Sequence, residues 1–395
     1  MLIYKIAILL YDNSIVYLQS IKPEIFLMTV SLFIVFIVIV IIQFFYYLIV
    51  FEKLAFLKSY DVTGSTVSVS VIICAKNEEH NVSRFIPLLA EQNYPDYEII
   101  LIDAASSDAT LELFEGFAKQ YKNIRLVKVV PNEAFWGNKK FALTLGIKAA
   151  TKDYLLFTDA DCYPVSKDWI KKMAAHFTTE KTVVLGYGAY EKKTGSFLNK
   201  MIRYETLMTA VQYFSWAKFG RPYMGVGRNM AYKREEFFKI GGFKDHLKIR
   251  SGDDDLFINQ VANKDNTTIC IDIDSFTYSE PKQEFSEWLK QKCRHITTSY
   301  SYKFFDKLQL SIFFSTQLLF VFLSVILLIL NYNWPIVTGL ILLRYLISWS
   351  IIAGATKRLQ ENDLTPWFPV LEIVLLYVQL NIFFKNIFVK HIHWK

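Results

Sequence analysis

The 395-residue sequence has only four cysteines, and no two of them form a C-x-x-C pair. Such a set fits neither a structural zinc site nor a disulfide framework, which indicates a reducing compartment. Charge is also scarce, since charged residues make up 21% of the chain against 53% hydrophobic residues, and the mean hydropathy is +0.24. This composition is too apolar for an ordinary soluble protein and predicts membrane segments.

The excess of positive charge is modest, with a formal net charge of +7 at pH 7. Its basic residues cluster beside the apolar stretches of the chain. This arrangement favours contact with anionic membrane lipid and argues against a nucleic-acid partner. We find no internal repeat and no low-complexity tract.

Four apolar stretches are long enough to be considered as membrane helices. The first has no charged residue between Glu24 and Glu52, and it begins too far into the chain and runs too long for a cleavable signal peptide. We assign the four to residues 25–51, 308–331, 334–355 and 366–389. The last contains two charged residues, so a re-entrant helix stays an alternative there. Residues 1–24 are of mixed polarity, and an interfacial position is one interpretation of them.

Basic residues flank these stretches on one side, which the positive-inside rule assigns to the cytoplasm. They are Lys53, Lys58, Lys303, Lys307, Lys357 and Arg358. The sequence therefore predicts a multi-pass protein of the plasma or inner membrane, with the polar region between the first two stretches in the cytoplasm. Arg344 lies inside the third stretch, where an arginine is expected to be functional or paired, and Glu372 is a plausible partner.

The region from Val67 to about residue 300 alternates predicted strands with predicted helices. The strands cover 67–74, 97–103, 124–130 and 154–158, and the helices cover 78–92, 107–121 and 139–151, with Ser106 or Ser107 as a cap of the second helix. This alternation predicts a mostly parallel sheet with right-handed crossovers. Residues 197–223 combine aromatic and basic side chains, so both a membrane-surface helix and a core-facing helix stay open.

The apolar strand at Tyr154 ends in Asp159-Ala160-Asp161. Two carboxylates at the carboxyl end of a buried strand lie at the edge where open α/β sheets bind ligands. Carboxylate oxygens suit a hard divalent cation, which commonly bridges to phosphate oxygens. The motif therefore predicts a metal and diphosphate site, although a solvated strand-end turn is the alternative.

Further polar clusters follow other strands or precede the membrane stretches. They are Asn77 and Glu78, Asp103, Lys139, Gly252-Asp253-Asp254-Asp255, and Gln291 with Arg294 and His295. Three adjacent aspartates repel one another, and a carboxyl with a raised pKa is suited to act as a general base. Arginine offers planar donors for a diphosphate, and lysine near a helix N-terminus can reach phosphate. Taken singly, each cluster is also compatible with a capping loop, a solvated acidic loop or a basic segment at lipid headgroups.

Taken in chain order, these motifs resemble those of the family 2 glycosyltransferases, inverting enzymes of the GT-A fold. The layout is closest to membrane-integrated members such as the hyaluronan, chitin and cellulose synthases. The resemblance covers roughly residues 67–300 and the flanking spans. It implies an α/β, Rossmann-like, mostly parallel sheet with helices on both faces, flanked by N- and C-terminal transmembrane helices.

The resemblance also implies an activity and a partner set. The protein would move a sugar from a UDP-sugar to a hydroxyl of a lipid-linked or glycan acceptor at the cytoplasmic membrane face, with Mg²⁺ or Mn²⁺ as cofactor. A processive polysaccharide synthase coupled to export is the alternative, and an inactive membrane scaffold that retains the fold is a minor one.

The resemblance further implies a role for each residue of this chain that matches a family motif. Uridine would be contacted by Asn77, Glu78 and Asp103, with Lys139 nearby. The ribose or diphosphate would meet Asp159, and the metal would be bound by Asp161 with Asp159. The general base would be Asp254, and Arg294 of the segment Gln291-x-x-Arg294 would hold the diphosphate, with Gln291 and His295 as further substrate-binding residues. The segment Gly225-x-Gly227-x-Asn229-x-Ala231 resembles the acceptor side.

One position departs from the family pattern. The processive synthases usually carry Trp where this chain has His295, and the acceptor sugar stacks on that Trp. Because imidazole offers a smaller stacking face, the resemblance favours addition of one or a few sugars.

Overall fold

The computed structural model describes residues 23–58, 66–130, 139–247, 249 and 251–388. The segment expected at the interface, residues 1–24, lies almost entirely outside the described residues. The described chain divides into two compact units. One consists of residues 23–50 and 308–352, and the other consists of the described parts of 51–307 and 353–388.

The helices and strands follow in chain order. The helices are α1 (Pro23–Phe45), α2 (Glu52–Ala55), α3 (Glu79–Ala90), α4 (Thr110–Gln120), α5 (Lys139–Ala149), α6 (Trp169–Ala174), α7 (Phe197–Lys218), α8 (Arg234–Lys239), α9 (Asp255–Val261), α10 (Phe285–Ser299), α11 (Phe304–Ile329), α12 (Trp334–Arg358) and α13 (Phe368–Phe388). The strands are β1 (Val69–Ala75), β2 (Tyr97–Asp103), β3 (Ile124–Lys128), β4 (Tyr154–Phe157), β5 (Cys162–Pro164), β6 (Val183–Leu185), β7 (Gly188–Tyr190), β8 (Met230–Lys233), β9 (Thr267–Ile269) and β10 (Thr277–Ser279).

Helical segments long and apolar enough to cross a membrane occur at both ends of the described chain. They are Glu24–Ala55, Phe304–Ile329, Trp334–Arg358 and Asn362–Lys385. All four coincide with the apolar stretches of the sequence. A π-helical turn, Tyr46–Phe51, lies within the first of them.

The smaller unit is held together by apolar packing with a buried polar centre. Phe36 stacks on Phe320 with ring centroids 5.7 Å apart. The Gln43 amide donates to the Thr316 hydroxyl at 2.7 Å, and Arg344 Nη2 donates to Gln43 Oε1 at 2.9 Å. The sequence-based expectation that Arg344 is paired is therefore confirmed. Its pairing with Glu372, a residue of the other unit, stays a prediction.

The larger unit is built on a seven-stranded sheet of order β3-β2-β1-β4-β8-β6-β9. The first four strands run parallel, and β8 is antiparallel to both of its neighbours. Four apolar strand residues of β1 and β2, namely Val71, Ile73, Ile99 and Leu101, are fully buried among the flanking helices. The predicted α/β sheet is confirmed, and its parallel strands place their carboxyl ends at one edge.

A second sheet of three short strands, in the order β5-β10-β7, belongs to the same unit. Its register aligns Ser279 with Cys162 on one side and with Tyr190 on the other. Cys162 directly follows Asp161, so this row of residues adjoins the carboxyl end of the D-A-D motif.

Helix α7 is the element for which the sequence left two interpretations open. Most of its side chains are buried, which favours the core-facing helix. Arg203 is 2% exposed, and its Nε donates to Glu361 at 2.8 Å while Nη1 donates to Asp363 at 2.8 Å. The buried Arg203 side chain thus connects α7 by ion pairs to the segment that precedes α13.

The predicted cap of α4 is wrong. The N-cap residue is Ala109, which offers no side-chain acceptor. Ser106 instead accepts a hydrogen bond from the Asn77 amide, and Ser107 donates to the Asn77 side chain. Both serines therefore join the loops after β1 and β2.

Candidate active site

The D-A-D motif lies where the fold predicts a ligand site. Strand β4 ends at Phe157, which pairs with Ile72 of β1. The chain then turns through Asp159 and Asp161 before entering β5. One ligand atom each of Asp159, Asp161 and Cys162 lies within 4.8 Å of the others.

These side chains fit a hard divalent cation held by the two carboxylates. The pKa of Asp161 is raised, first because the surrounding protein displaces water from the carboxyl and then because of the charge on Asp159. Burial raises the pKa of the Cys162 thiol, so it stays protonated and is a poor ligand. A cation between Asp159 and Asp161 would relieve their mutual repulsion.

Lys139, the first residue of α5, joins the D-A-D motif to the acidic loop. Its Nζ lies 2.8 Å from Asp159 Oδ1 and 2.9 Å from Asp253 Oδ2. Burial alone would lower the pKa of Lys139, but the charges of Asp159 and Asp253 raise it well above its usual value. Lys139 is therefore a permanent cation at the boundary of these two clusters.

The three consecutive aspartates have different partners. Asp253 pairs with Lys139, whose charge lowers the pKa of Asp253 against the opposing effect of burial. Asp255 accepts hydrogen bonds from the hydroxyls of Tyr302, at 2.7 Å, and Thr298. Asp254 accepts from backbone amides alone, those of Gly227 at 2.7 Å and Asp255 at 2.8 Å.

Asp254 is the member of the three with the properties of a base near neutral pH. Its pKa is raised to about 7, first by burial and then by the charges of Asp253 and Asp255. Lys139 and the Gly227 amide oppose it. A carboxyl with a pKa near the working pH combines proton affinity with a sizeable deprotonated fraction.

The loops after β1 and β2 meet through side chains, as the parallel sheet predicts. Asn77 adopts a left-handed backbone conformation, with φ of 58°, which asparagine tolerates better than most residues. The buried Asp103 carboxylate accepts from the Ser106 amide at 3.3 Å, and this contact stabilises the loop. Contact of either residue with a nucleobase stays a prediction.

Glu78 lies beside the same loops. Its Oε2 accepts from the Asn81 amide at 2.7 Å. Burial raises the pKa of Glu78, and the charge of Asp161 adds to this rise. This interaction indicates that Glu78 lies near the D-A-D motif.

Helix α10 carries the predicted diphosphate-binding segment. Thr298 of this helix contacts Asp255, and Arg294 lies one turn earlier on the same face. Arg294 is exposed, and Gln291 is three residues before it. The His295 side chain lies outside the described residues, so its role stays a prediction. Contact of Gln291 or Arg294 with a diphosphate stays a prediction.

Sequence reasoning missed two basic residues of this region. Lys140 donates to the carbonyl oxygens of His246, at 2.8 Å, and Ile249, at 2.9 Å, shortly before the acidic loop. Arg228 stacks over the ring of Tyr190 at 4.4 Å. Lys140 is adjacent to Lys139 in the sequence, and the sequence pattern does not indicate that the two lysines bind different partners.

Asn229 anchors the segment that contains Arg228. Its side chain donates to the carbonyl oxygens of Tyr187, at 2.9 Å, and Ser275, at 2.7 Å, and accepts from the Trp169 indole at 3.1 Å. The side chain fits because a Cβ at Gly186 would lie 2.6 Å from it. The segment Gly227-Arg228-Asn229 is thereby fixed between Asp254 and the small sheet.

The fold agrees with a solved glycosyltransferase structure. The mannosyltransferase PcManGT from Pyrobaculum calidifontis, solved with GDP-Man and Mn²⁺, superposes with a TM-score of 0.55 at 19% sequence identity. The match covers 84% of this chain and 97% of that one. This likeness identifies the fold as GT-A.

The sequence comparison finds a family similarity in the central domain. Residues 70–243 match the model of glycosyl transferase family 2. This match agrees with the resemblance recognised from the motifs.

Two curated relatives show how far the similarity extends. Poly(ribitol-phosphate) beta-glucosyltransferase of Bacillus spizizenii is 31% identical over 25% of this chain and 15% of its own length. Dolichyl N-acetyl-alpha-D-glucosaminyl phosphate 3-beta-D-2,3-diacetamido-2,3-dideoxy-beta-D-glucuronosyltransferase of Methanococcus voltae is 28% identical over 38% of this chain and 49% of its own length. The chain thus spans less than half the length of either relative.

Proposed function

We propose that the protein is a metal-dependent, inverting glycosyltransferase that moves one sugar from a UDP-sugar to a hydroxyl of a lipid-linked or glycan acceptor at the cytoplasmic membrane face. One observation carries the proposal. Of three adjacent aspartates, only Asp254 is held by backbone amides alone, and its pKa is about 7. Such a carboxyl is suited to deprotonate an acceptor hydroxyl.

The donor end of the site is built from the D-A-D motif. Asp159 and Asp161 would hold Mg²⁺ or Mn²⁺, which would supply positive charge against the diphosphate of the leaving nucleotide. Asn77, Glu78 and Asp103 would contact the uridine. The Mn²⁺ and GDP-Man of the structural neighbour support a nucleoside-diphosphate sugar as the donor. That its nucleobase is uracil is proposed from the family resemblance alone.

Lys139 and Arg294 have separate tasks at the leaving group. Lys139 neutralises Asp159 and Asp253, which keeps two carboxylates from repelling a phosphate-bearing donor. Arg294, four residues before Thr298 on α10, would donate to the diphosphate as charge develops there. Charge placed in advance against a departing anion lowers the barrier to its departure.

Asp254 would take the proton from the acceptor hydroxyl as that oxygen attacks the anomeric carbon. The bond to the nucleotide breaks on the opposite face of the sugar, so the configuration inverts. The Gly227 amide hydrogen bond fixes the orientation of the carboxylate. Asp253 and Asp255 are occupied by Lys139 and by Thr298 with Tyr302, which leaves this task to Asp254.

The acceptor is assigned from the helices that frame the domain. Helices apolar enough to span a membrane occur before and after it, which suits an acceptor held at a membrane surface. The name of the Methanococcus relative specifies a dolichyl-linked acceptor, and that of the Bacillus relative a polymer. We therefore propose a lipid-linked or glycan acceptor, and membrane lipid as the surrounding partner.

Two other functions compete with this one. A processive polysaccharide synthase is the main alternative, and His295 in place of the stacking Trp disfavours it. A catalytically inactive scaffold that retains the fold is disfavoured by the presence of both metal carboxylates and of Asp254.

The proposal is tested by incubating purified protein in lipid nanodiscs with a panel of UDP-sugars, GDP-mannose as a comparison donor, and membrane lipid extract. Release of nucleotide diphosphate and the product mass are measured. We expect one UDP-sugar to be consumed with a mass gain of one sugar residue on an extracted acceptor. No transfer from any donor, with intact nucleotide binding, would favour the scaffold.

A further inference from the structure

Arg228 is a charged residue of the site to which the family resemblance gives no role. It lies between Gly227, whose amide holds the base, and Asn229, whose three hydrogen bonds anchor the segment. Its Nη1 donates to the Ala189 carbonyl at 3.2 Å and to the Ser279 hydroxyl at 3.1 Å. The guanidinium is therefore fixed before any ligand arrives.

The small sheet places this guanidinium beside the metal carboxylates. Arg228 bonds to Ser279 and stacks on Tyr190, and Ser279 is aligned with Cys162, the residue after Asp161. Burial alone would lower the pKa of Arg228, but nearby groups, Asp161 among them, raise it. Arg228 is thus a permanent cation close enough to the D-A-D motif to interact with it electrostatically.

Arg228 retains unused hydrogen-bonding capacity. Among the described residues, no carboxylate lies within 4 Å of its guanidinium nitrogens, and Nε and Nη2 have no hydrogen-bond partner. These two nitrogens form one edge of the planar group, the edge that binds two oxygens of a phosphate or carboxylate at once. Because Arg228 lies near Asp161 without pairing with it, this edge stays available to an anion that a metal ion on the carboxylates would attract.

Gly188 makes this position possible. A Cβ there would lie 2.9 Å from Arg228 Cβ and 3.3 Å from its Nε, closer than side chains normally approach. Only glycine lets the Arg228 side chain lie flat across β7. The close contact indicates that this strand is shaped to hold the arginine in one place.

We propose that Arg228 binds the diphosphate of the donor through its Nε and Nη2 edge, opposite the carboxylates of Asp159 and Asp161. This inference rests on the proposed function. The diphosphate would then be contacted from two sides, by the metal-binding motif and by a guanidinium delivered from the segment that also holds Asp254. Loss of Arg228 would weaken nucleotide binding without weakening binding of the metal.

The test is calorimetric titration of UDP, in the presence of Mn²⁺, into the full-length protein and its variants. Arg228→Lys keeps the positive charge but loses the two-nitrogen edge, and Gly188→Ala displaces the arginine without removing it. Arg125→Met is the matched control, since Arg125 donates to the Ala149 carbonyl from β3, at the far edge of the large sheet. We expect both site variants to bind UDP about 10- to 100-fold more weakly, as for lost hydrogen bonds to a charged group, and the control to bind normally.

Titration of Mn²⁺ alone separates this inference from misfolding. Both site variants should bind Mn²⁺ about as tightly as the parent, because neither change alters the carboxylates of Asp159 and Asp161. Unchanged UDP affinity in Arg228→Lys and Gly188→Ala would overturn the inference while leaving the proposed function intact. So would an effect confined to the KM of the acceptor. If the parent protein itself binds no nucleoside diphosphate, the proposed function fails first.

Discussion

The backbone amide of Gly227 donates a hydrogen bond of 2.7 Å to Oδ2 of Asp254. This contact joins the glycine-rich segment before β8 to the acidic loop before α9. A Cβ at Gly227 would lie only 3.3 Å from the same oxygen, so the approach is close. The orientation of the proposed base is therefore set by backbone rather than by a flexible side chain.

The first prediction concerns the metal. Chelation should abolish release of UDP, and Mg²⁺ or Mn²⁺ should restore it, because Asp159 and Asp161 would otherwise repel the diphosphate. Asp161→Asn should require a higher Mn²⁺ concentration for half-maximal rate, whereas the surface variant Asp265→Asn should not. Full activity in excess chelator would contradict the assignment of both carboxylates.

The second prediction concerns pH and activity. Asp254 must be deprotonated to act, and its pKa of about 7 reflects burial and the charges of Asp253 and Asp255, opposed by Lys139. kcat/KM should therefore fall about tenfold per pH unit below this pKa. The measurement is the pH dependence of initial rate at saturating metal. A profile that stays flat down to pH 5 would show that another group is the base.

The same pKa has a consequence for stability. The folded protein binds the Asp254 proton more tightly than the unfolded chain, in which the ordinary value is 3.8. The free energy of unfolding should therefore fall as pH rises from about 4 to about 7, and Asp254→Asn should lack this part of the slope. Thermal unfolding of parent and variant across this pH range checks the sign. Equal slopes would argue against a raised pKa.

The third prediction concerns topology. By the positive-inside rule, the flanking basic residues favour a cytoplasmic position for the region from Val67 to Lys307. A cysteine introduced at the exposed Thr194 should react with an impermeant reagent only after the membrane is opened, whereas one at Trp334, the exposed first residue of α12, should react in intact cells. The native cysteines are buried or half-buried, which keeps the background low. The reverse labelling pattern would refute the orientation.

The fourth prediction concerns His295. If it replaces a stacking Trp, the purified protein should add one or a few sugars, because imidazole gives an acceptor chain a smaller surface. His295→Trp should shift the products to greater length. Gel sizing of labelled products decides the matter, and a high-molecular-weight polymer made by the parent protein alone would overturn the prediction.

Much of the fold was accessible from the sequence because it depends on local apolar patterns. Strand β2 spans Tyr97–Asp103 as predicted, and helix α5 begins at the predicted Lys139. Parallel pairing then follows from the alternation of strands and helices. The D-A-D motif appears at the carboxyl end of β4 for the same reason.

What the sequence could not show depends on contacts between distant residues. The burial of α7 is settled by Arg203 and its carboxylate partner Glu361, which lie 158 residues apart. Asp253 and Asp255 differ in their partners, because Asp253 pairs with Lys139 whereas Asp255 accepts hydrogen bonds from hydroxyls of α10 and the turn after it. Local sequence patterns do not identify contacts between residues so far apart in the chain.

Arg228 was missed for a similar reason. In the sequence it is an arginine between a glycine and an asparagine, a pattern with no fixed chemistry. Its importance depends on Gly188, Ser279 and Tyr190, which reach it from two strands of the small sheet. That sheet is made of three-residue strands, which are too short to predict from periodicity.

The central claim is that Asp254 is the general base, and comparison of Asp254→Asn with Asp161→Asn tests it most directly. Removing proton acceptance should lower the rate of transfer by about 10²–10⁴-fold. Calorimetric UDP binding by Asp254→Asn should stay within a few-fold of the parent, because the donor contacts lie elsewhere, whereas Asp161→Asn should weaken it. Near-normal turnover by Asp254→Asn would contradict the account and leave Asp253 and Asp255 as the remaining candidates.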